Sequence, residues 1–247
     1  MIEKSVKNDA YGGEPFPLER SQAIAEEFFR EGCVLVPSVL QTDLVAELRA
    51  RTDRYFDERE SLPARHVSYA NDAFVLRYGA DLDPLMKSLI TSEPIYSLAS
   101  AVVGANPAFN ALNVIRNEPG KAISYWHVDD TVEFPLPDDV PRFDPRIRMP
   151  VFWFTVQVAL SDIPTIEHGP TQYVPGSHYS GRRPPTQDDP MFEGRGPVPM
   201  FCRAGDIYFT NHQAWHRGAP NTSNQVRYVM QIQYAQRWAA TRFGGAG

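Results

Sequence analysis

The chain has 247 residues, 43% hydrophobic and 22% charged, with a formal net charge of -6 and a pI near 5.5. This is a globular composition that excludes wholesale disorder, and its 24 Lys and Arg are scattered, which argues against nucleic acid or an anionic membrane surface as partner. With only Cys33 and Cys202, no apolar signal segment in MIEKSVKNDA and no apolar stretch longer than 151–160, it reads as a single cytoplasmic domain, residues 1–247, acting on a small molecule, and no feature specifies its oligomeric state.

Residues 1–17, polar with Gly12, Gly13, Pro15 and Pro17, read as a flexible arm. The region 18–105 reads as mainly helical. Helices are predicted at 18–31, where Ile24 and Phe28 stand four apart, and at 41–58, where Leu44, Val45 and Leu48 form a stripe. Shorter ones are predicted at 83–91 and 94–103, the second with Ser92 as N-cap, Pro94 in its first turn and Gly104 as its stop.

From 106 to 236 the pattern changes to short segments rich in Val, Ile, Phe, Tyr and Thr. They lie at 109–116, 123–128, 151–160, 171–175, 206–210 and 226–235, and Pro and Gly clusters separate them, the punctuation of an all-β sandwich or barrel. Residues 237–247 read as a tail. Two long Pro- and Gly-rich loops, 130–150 and 181–199, are candidate lids. In the last strand Arg227, Val229, Gln231 and Gln233 share one face, and Tyr228, Met230, Ile232 and Tyr234 the other; Thr155 and Gln157 likewise oppose Phe154, Val156 and Val158. The apolar sets are expected to pack against the N-terminal helices, and the polar sets to face a wet pocket.

The chemistry concentrates in a His-x-Asp pair, His127 and Asp129, with further histidines downstream. Residues i and i+2 of a strand project from one face, whereas on a helix they diverge by about 200°, so the pair chelates one ion only if YWHVD is a strand or its end. His168 and His178 lie in turns, which leaves His212 or His216 as the third ligand. The loop RGAPNTSNQ reads as the link between two antiparallel strands, and if His216 and Arg227 oppose each other the guanidinium lies a side-chain length from the metal. That suits a short dicarboxylate, one end on the metal and the other paired bidentately with Arg227. Two His and one carboxylate with open positions opposite are the ligand set of non-haem Fe(II) oxygenases.

WHVD (126–129), GPTQYVPGSH (169–178), GD (205–206) and WHRGAPNTSNQVR (215–227) together resemble the phytanoyl-CoA dioxygenase family of Fe(II)/2-oxoglutarate oxygenases, over roughly residues 75–236. The resemblance implies a mainly β fold with flanking helices, a double-stranded β-helix (jelly-roll, cupin-like) core with the N-terminal helices packed on one sheet. It implies His127, Asp129 and His216 as iron ligands and Arg227 on the distal carboxylate of 2-oxoglutarate, with Asn113 and Thr155 as further cosubstrate contacts. The implied reaction consumes 2-oxoglutarate and O2, releases succinate and CO2, and hydroxylates a substrate C–H bond. Related halogenases replace the carboxylate with a small residue, so Asp129 points away from halogenation. Many relatives carry a serine two residues beyond the distal His; here that position is Gly218, and the lost contact must come from elsewhere, Thr155 or a water. Substrate contacts are expected from Tyr69, Phe74, Arg77 and Gln157, although an ion pair of Arg77 with Asp81 or Asp83 is an equal expectation. Alternative readings are a cupin-type metalloenzyme that does not use 2-oxoglutarate and a non-catalytic jelly-roll binding module.

Overall fold

In the computed structural model, which describes residues 13–120, 125–129, 131–186 and 189–242, helix α1 (Leu18–Glu31) stops at Gly32. The φ of 80° there lets the Gly32 N–H bond back to the Phe28 carbonyl, a left-handed stop that glycine adopts without strain. Strand β1 (Cys33–Val36), helix α2 (Thr42–Asp57) and the hairpin β2 (Val67–Ala70) and β3 (Ala73–Leu76) follow. These three strands are additions within a region that the sequence reads as mainly helical and that is mostly helix here. Each is only four residues long, too short for a period to register. The Asn71-Asp72 turn between β2 and β3, with φ of 46° and 71°, is the hairpin signal that the sequence does carry.

Helices α3 (Gly79–Leu82), α4 (Pro84–Ser88) and α5 (Ile95–Val103) complete the first third. Asp83 caps α4 by accepting from the Leu85 and Met86 N–H groups, with Pro84 in the first turn. Ser92 does not cap α5. Its hydroxyl donates to the Ser88 carbonyl, and the Glu93 carboxylate instead accepts the Ser97 N–H at 3.2 Å.

Strands β4 (Ala108–Asn117), β5 (Trp153–Ala159), β6 (Thr171–Tyr173), β7 (Val198–Pro199), β8 (Ile207–Asn211), β9 (His216–Gly218) and β10 (Arg227–Ala235) come next, and α6 (Arg237–Arg242) occupies the start of the expected tail. Among the described residues, seven strands form one antiparallel sheet in the order β1-β8-β5-β10-β4-β3-β2, and three form a second in the order β7-β6-β9. His127 adds to the free edge of β9 through a single antiparallel bridge with His216. That bridge is what remains of the strand expected at 123–128, of which 123 and 124, like most of the expected arm, lie outside the described residues. Two facing antiparallel sheets that do not close constitute an open jelly roll.

The large sheet is two-faced, as the alternation requires. Phe154, Val156 and Val158 of β5 and Tyr228, Met230, Ile232 and Tyr234 of β10 are buried in one apolar cluster with Phe28 of α1, Leu44, Val45 and Leu48 of α2, and Leu98 and Val102 of α5. The opposite face carries rows set by strand register: Asn113, Gln231, Gln157 and Tyr208 across β4, β10, β5 and β8, and Ile115, Val229 and Ala159 beside them. The helices therefore cover one face and leave the other for the second sheet and the cavity between.

The described parts of the two long loops are tied to each other. Arg182 laces them together by donating to the carbonyls of Pro137, Val140 and Pro141, and Phe143 N–H bonds to the Tyr179 carbonyl. Their apolar side chains, Phe143, Met149 and Phe192, pack with Val174 and Trp215.

Candidate metal centre

Each side chain of the centre is aimed by local backbone bonding. His127 and His216 exchange both backbone hydrogen bonds at 3.0 Å, and the Asp129 N–H donates to the His212 carbonyl at 2.8 Å. Directly opposed residues point to the same face, which brings the two imidazoles together with ring centroids 4.3 Å apart. Ligand atoms of His127, Asp129 and His216 all lie within 4.8 Å of one another. The Oδ1 of Asp129 is 3.4 Å from His127 Nε2 and 3.7 Å from His216 Nε2.

The other ring nitrogens are engaged by the backbone. His127 Nδ1 lies 2.6 Å from the Tyr125 carbonyl and His216 Nδ1 2.8 Å from the Ala214 carbonyl. A carbonyl only accepts, so both rings carry their proton on Nδ1 and direct the Nε2 lone pair at the shared space, the tautomer a metal-binding imidazole needs. Burial alone would raise the Asp129 carboxyl, but His216, His127 and His212 together hold it well below the usual carboxylate range. Burial lowers His216, whereas for His127 the pull of burial is outweighed by Asp129 and the Tyr125 carbonyl and the ring is raised. An ionised carboxylate with two imidazoles converging on one point can hold a divalent cation.

His212, the other candidate, is not in the group of converging ligand atoms. Its Nε2 stands 3.7 Å from the Asp129 Oδ2, the oxygen turned away from the two converging rings, and 2.8 Å from the Thr155 hydroxyl. Thr155 is thereby engaged behind Asp129.

A cavity of about 210 Å³ joins the centre to Arg227, lined also by Ala70, Ile115, Gln157, Thr171, Val229 and Gln231. His216 and Arg227 do not oppose each other, contrary to the hairpin expectation: β9 pairs with β6 in the small sheet, and β10 with β4 and β5 in the large one. The loop between them crosses from sheet to sheet. Asn221 braces that crossing, donating to the carbonyls of Asn117 and Gln225 and accepting from Ser223. The two residues meet across the cavity, so the intended proximity arises by another route.

Arg227 is 4% exposed, its Nη2 donates to the Thr171 hydroxyl at 3.2 Å, and its Nε and Nη1 are buried with no partner. A buried guanidinium with two unspent donors facing a cavity fits a carboxylate. Of the other expected site residues, Gln157 lines the cavity. Asn113 lies on the same sheet face, opposite Gln231, with its Oδ1 accepting the Tyr78 N–H at 3.2 Å. Phe74 is 2% exposed and packs edge-on against Phe56 in the apolar core, so alternation puts it on the helical side. Tyr69 opposes Phe74 and shares its face, and is 56% exposed. Arg77 is exposed and bonds the Tyr78 hydroxyl; Asp81 and Asp83 pair with Arg65 and Arg51 instead. Thr171 and Gln231 are cavity residues that the motifs pass over, although Thr171 stands inside GPTQYVPGSH and Gln231 on the polar face of the last strand.

A phytanoyl-CoA dioxygenase (PhyH) family model matches residues 28–229. The uncharacterized protein Rv1501 of Mycobacterium tuberculosis is 23% identical over 212 residues, 83% of this chain and 71% of that protein. Among solved structures, the non-heme alpha ketoglutarate dependent epimerase SnoN from nogalamycin biosynthesis is 25% identical with a TM-score of 0.68, over 89% of this chain and 84% of that one. The carbocyclase SnoK of the same biosynthesis is 23% identical with a TM-score of 0.67, covering 90% and 87%. HygX from Streptomyces hygroscopicus, solved with nickel, 2-oxoglutarate and hygromycin B bound, is 15% identical with a TM-score of 0.65, covering 87% of each chain.

Proposed function

The chain belongs to the phytanoyl-CoA dioxygenase family, and from that premise we propose that it is an Fe(II)- and 2-oxoglutarate-dependent dioxygenase that hydroxylates a C–H bond of a small molecule. The observation that carries the reading is the pairing of a His-Asp-His centre with a buried, half-unspent arginine across one cavity. His127, Asp129 and His216 hold the iron in this proposal, and Arg227 receives the distal carboxylate of 2-oxoglutarate. Held there, iron with the 2-oxo acid and O2 would supply the oxidising power, one oxygen atom going to succinate and the other to the substrate C–H bond, with CO2 as the further product.

The protein's own contribution is placement. The carbonyls of Tyr125 and Ala214 fix the two imidazole tautomers, and Arg227, itself buried, fixes the cosubstrate by a charge-assisted pair. Gln157 and Gln231 offer neutral amides along the wall between them, which favours a polar substrate or cosubstrate edge over a purely aliphatic one. No helix among the described residues is long and apolar enough to cross a membrane. A cytoplasmic setting belongs to the same proposal, resting on two buried, unpaired cysteines.

SnoN and SnoK, described as an epimerase and a carbocyclase, favour a second outcome in which hydrogen is removed without oxygen insertion. A screen of small molecules for substrate-stimulated succinate formation, with product masses, tests both. A product one oxygen heavier than its substrate is the expected result. The loss of two hydrogens, or a chromatographically distinct isomer of unchanged mass whose formation requires an added reductant, establishes the second outcome, and succinate formation independent of Fe(II) contradicts the whole proposal.

A further inference from the structure

The large sheet is wider than its cover. Among the described residues, three strands and the His127 bridge face seven strands, and His127 is the outermost member of the small sheet. The cavity beneath it is lined by Ile115 of β4 and Ala70 of β2, so the metal centre opens toward the β4-β3-β2 side. Exposure agrees: the side chains of His127 and Asp129 are 34% and 37% exposed, and that of His216 is 11% exposed.

On that side the sheet face opposite the helices forms a shelf. Register places Ser68 beside Val75 and Val75 beside Ile115 on this face. Arg77, two residues past Val75, shares it. The Arg77 N–H bonds the His66 carbonyl at 2.9 Å and the Tyr78 N–H bonds Asn113 Oδ1 at 3.2 Å, which seats Arg77 at the end of the row Asn113, Gln231 and Gln157. The residues that β2, β3 and β4 themselves turn to this face are neutral, since Arg116 opposes Phe74 on the helical side.

The charge of Arg77 is uncommitted. Tyr78 braces the guanidinium, with Nη2 donating to the phenol oxygen at 2.9 Å and Cζ 5.0 Å from the ring centroid. No carboxylate among the described residues pairs with it, because Asp81 is taken by Arg65 and Asp83 by Arg51. A held guanidinium with its other donors open suits an oxyanion.

We propose that the primary substrate is a small acid whose carboxylate or phosphate pairs with Arg77, and that it lies along the row of amides with its far end toward the metal. This rests on the 2-oxoglutarate reading above. Neighbouring strands are about 4.8 Å apart, so Arg77 beside β4 stands two strands, about 10 Å, from Gln231 on β10. The substrate is therefore extended, and Arg77 is a specificity-determining residue remote from the reacting atoms.

The test uses protein loaded with Mn(II), which does not turn over, and saturated with 2-oxoglutarate so that Arg227 is occupied. Proton NMR line broadening by the metal, which falls steeply with distance, is read on hexanoate, hexyl phosphate and hexan-1-ol. At least one of the two acids should be broadened more at its methyl end than beside its acid group, and the stronger of the two tells carboxylate from phosphate. Hexan-1-ol should show no such gradient. Arg77→Gln should weaken binding of that acid by about tenfold or more, and Arg77→Lys, which keeps the charge without the fork, by less. No broadening of either acid, an acid broadened equally in Arg77→Gln, or hexan-1-ol broadened like the acids overturns the proposal. Calorimetry that finds no 2-oxoglutarate binding to the Mn(II) protein overturns the cosubstrate reading beneath it, and the two failures are distinct.

Discussion

His216 and His212 lie four residues apart, and their surroundings separate them. His216 Nδ1 is engaged by a carbonyl and its Nε2 faces Asp129 Oδ1, whereas His212 Nε2 is engaged by Thr155 on the far side of the carboxylate. His216→Ala should therefore weaken Fe(II) binding by more than the roughly 10–100-fold typical of outer-shell changes, and His212→Ala by no more than that. Anaerobic Fe(II) titration of the two variants checks the order; a larger loss in His212→Ala would show the ligand to be misassigned. His178 supplies a prediction in pH. Burial lowers its ring to about 4, with Nε2 bonded to the Phe29 carbonyl, against an ordinary value near 6.5. Above pH 6.5 the ring is neutral in folded and unfolded chains alike. As pH falls toward 4 the unfolded chain takes up a proton that the folded ring refuses, so stability drops, by about 3 kcal/mol in total. His178→Gln should flatten that part of the Tm-against-pH curve, and an unaltered slope would remove His178 as its cause. The closeness of His127 and Asp129 was legible in residue spacing because i, i+2 geometry is local, whereas the place of His216 beside them depends on its pairing with His127, which the hairpin expectation did not contain. The placement of Thr171 on the cavity wall was not legible, since it depends on which strand lies opposite Gly218, a non-local fact.

At the scale of elements, the long patterned pieces were readable and the short ones were not. Helices α1 and α2 and strands β4 and β10 carry enough residues for a period to show, and the two-faced reading of β10 and β5 matches the observed core. The strands β1, β2 and β3 carry too few, and the pairing partners of β9 and β10 depend on a crossing loop that a hairpin reading mistakes for a turn. Motifs that look functional can also be architectural. In the Gly-Asp pair at 205–206, Asp206 accepts from the N–H groups of Ser38 and Arg203, both at 2.7 Å, which ties the start of β8 to the chain between β1 and α2. Gly205 has φ of 96°, and a Cβ there would lie 2.6 Å from the Leu40 carbonyl oxygen, a backbone atom that cannot swing away. Gly205→Ala should therefore lower Tm, with a cost of at least about 1 kcal/mol. Phe154 sets the scale for the core: fully buried and in ring contact with Phe28, Phe209 and Tyr234, it joins helix, sheet centre and last strand. Phe154→Ala should cost about 3–5 kcal/mol in denaturant unfolding, and a loss under 1 kcal/mol would mean the sheet–helix layer is not the main core.

For the whole molecule, one sheet is committed on its two faces to different tasks. The helical layer buries its apolar face and makes it rigid, and the polar face is left to line a cavity whose far wall is the small sheet carrying His216 and Thr171. Family membership supplies the class of chemistry, while the centre, the arginine and the wall of amides are features of this chain. The most direct test of that union is anaerobic addition of Fe(II) and then 2-oxoglutarate to wild type and Arg227→Ala, watching for the metal-to-ligand charge-transfer band. Wild type should develop the band with both additions and with neither alone, and Arg227→Ala should need at least about tenfold more 2-oxoglutarate to reach it at unchanged iron affinity. A wild-type protein that binds iron but shows no band at saturating 2-oxoglutarate would contradict the assignment.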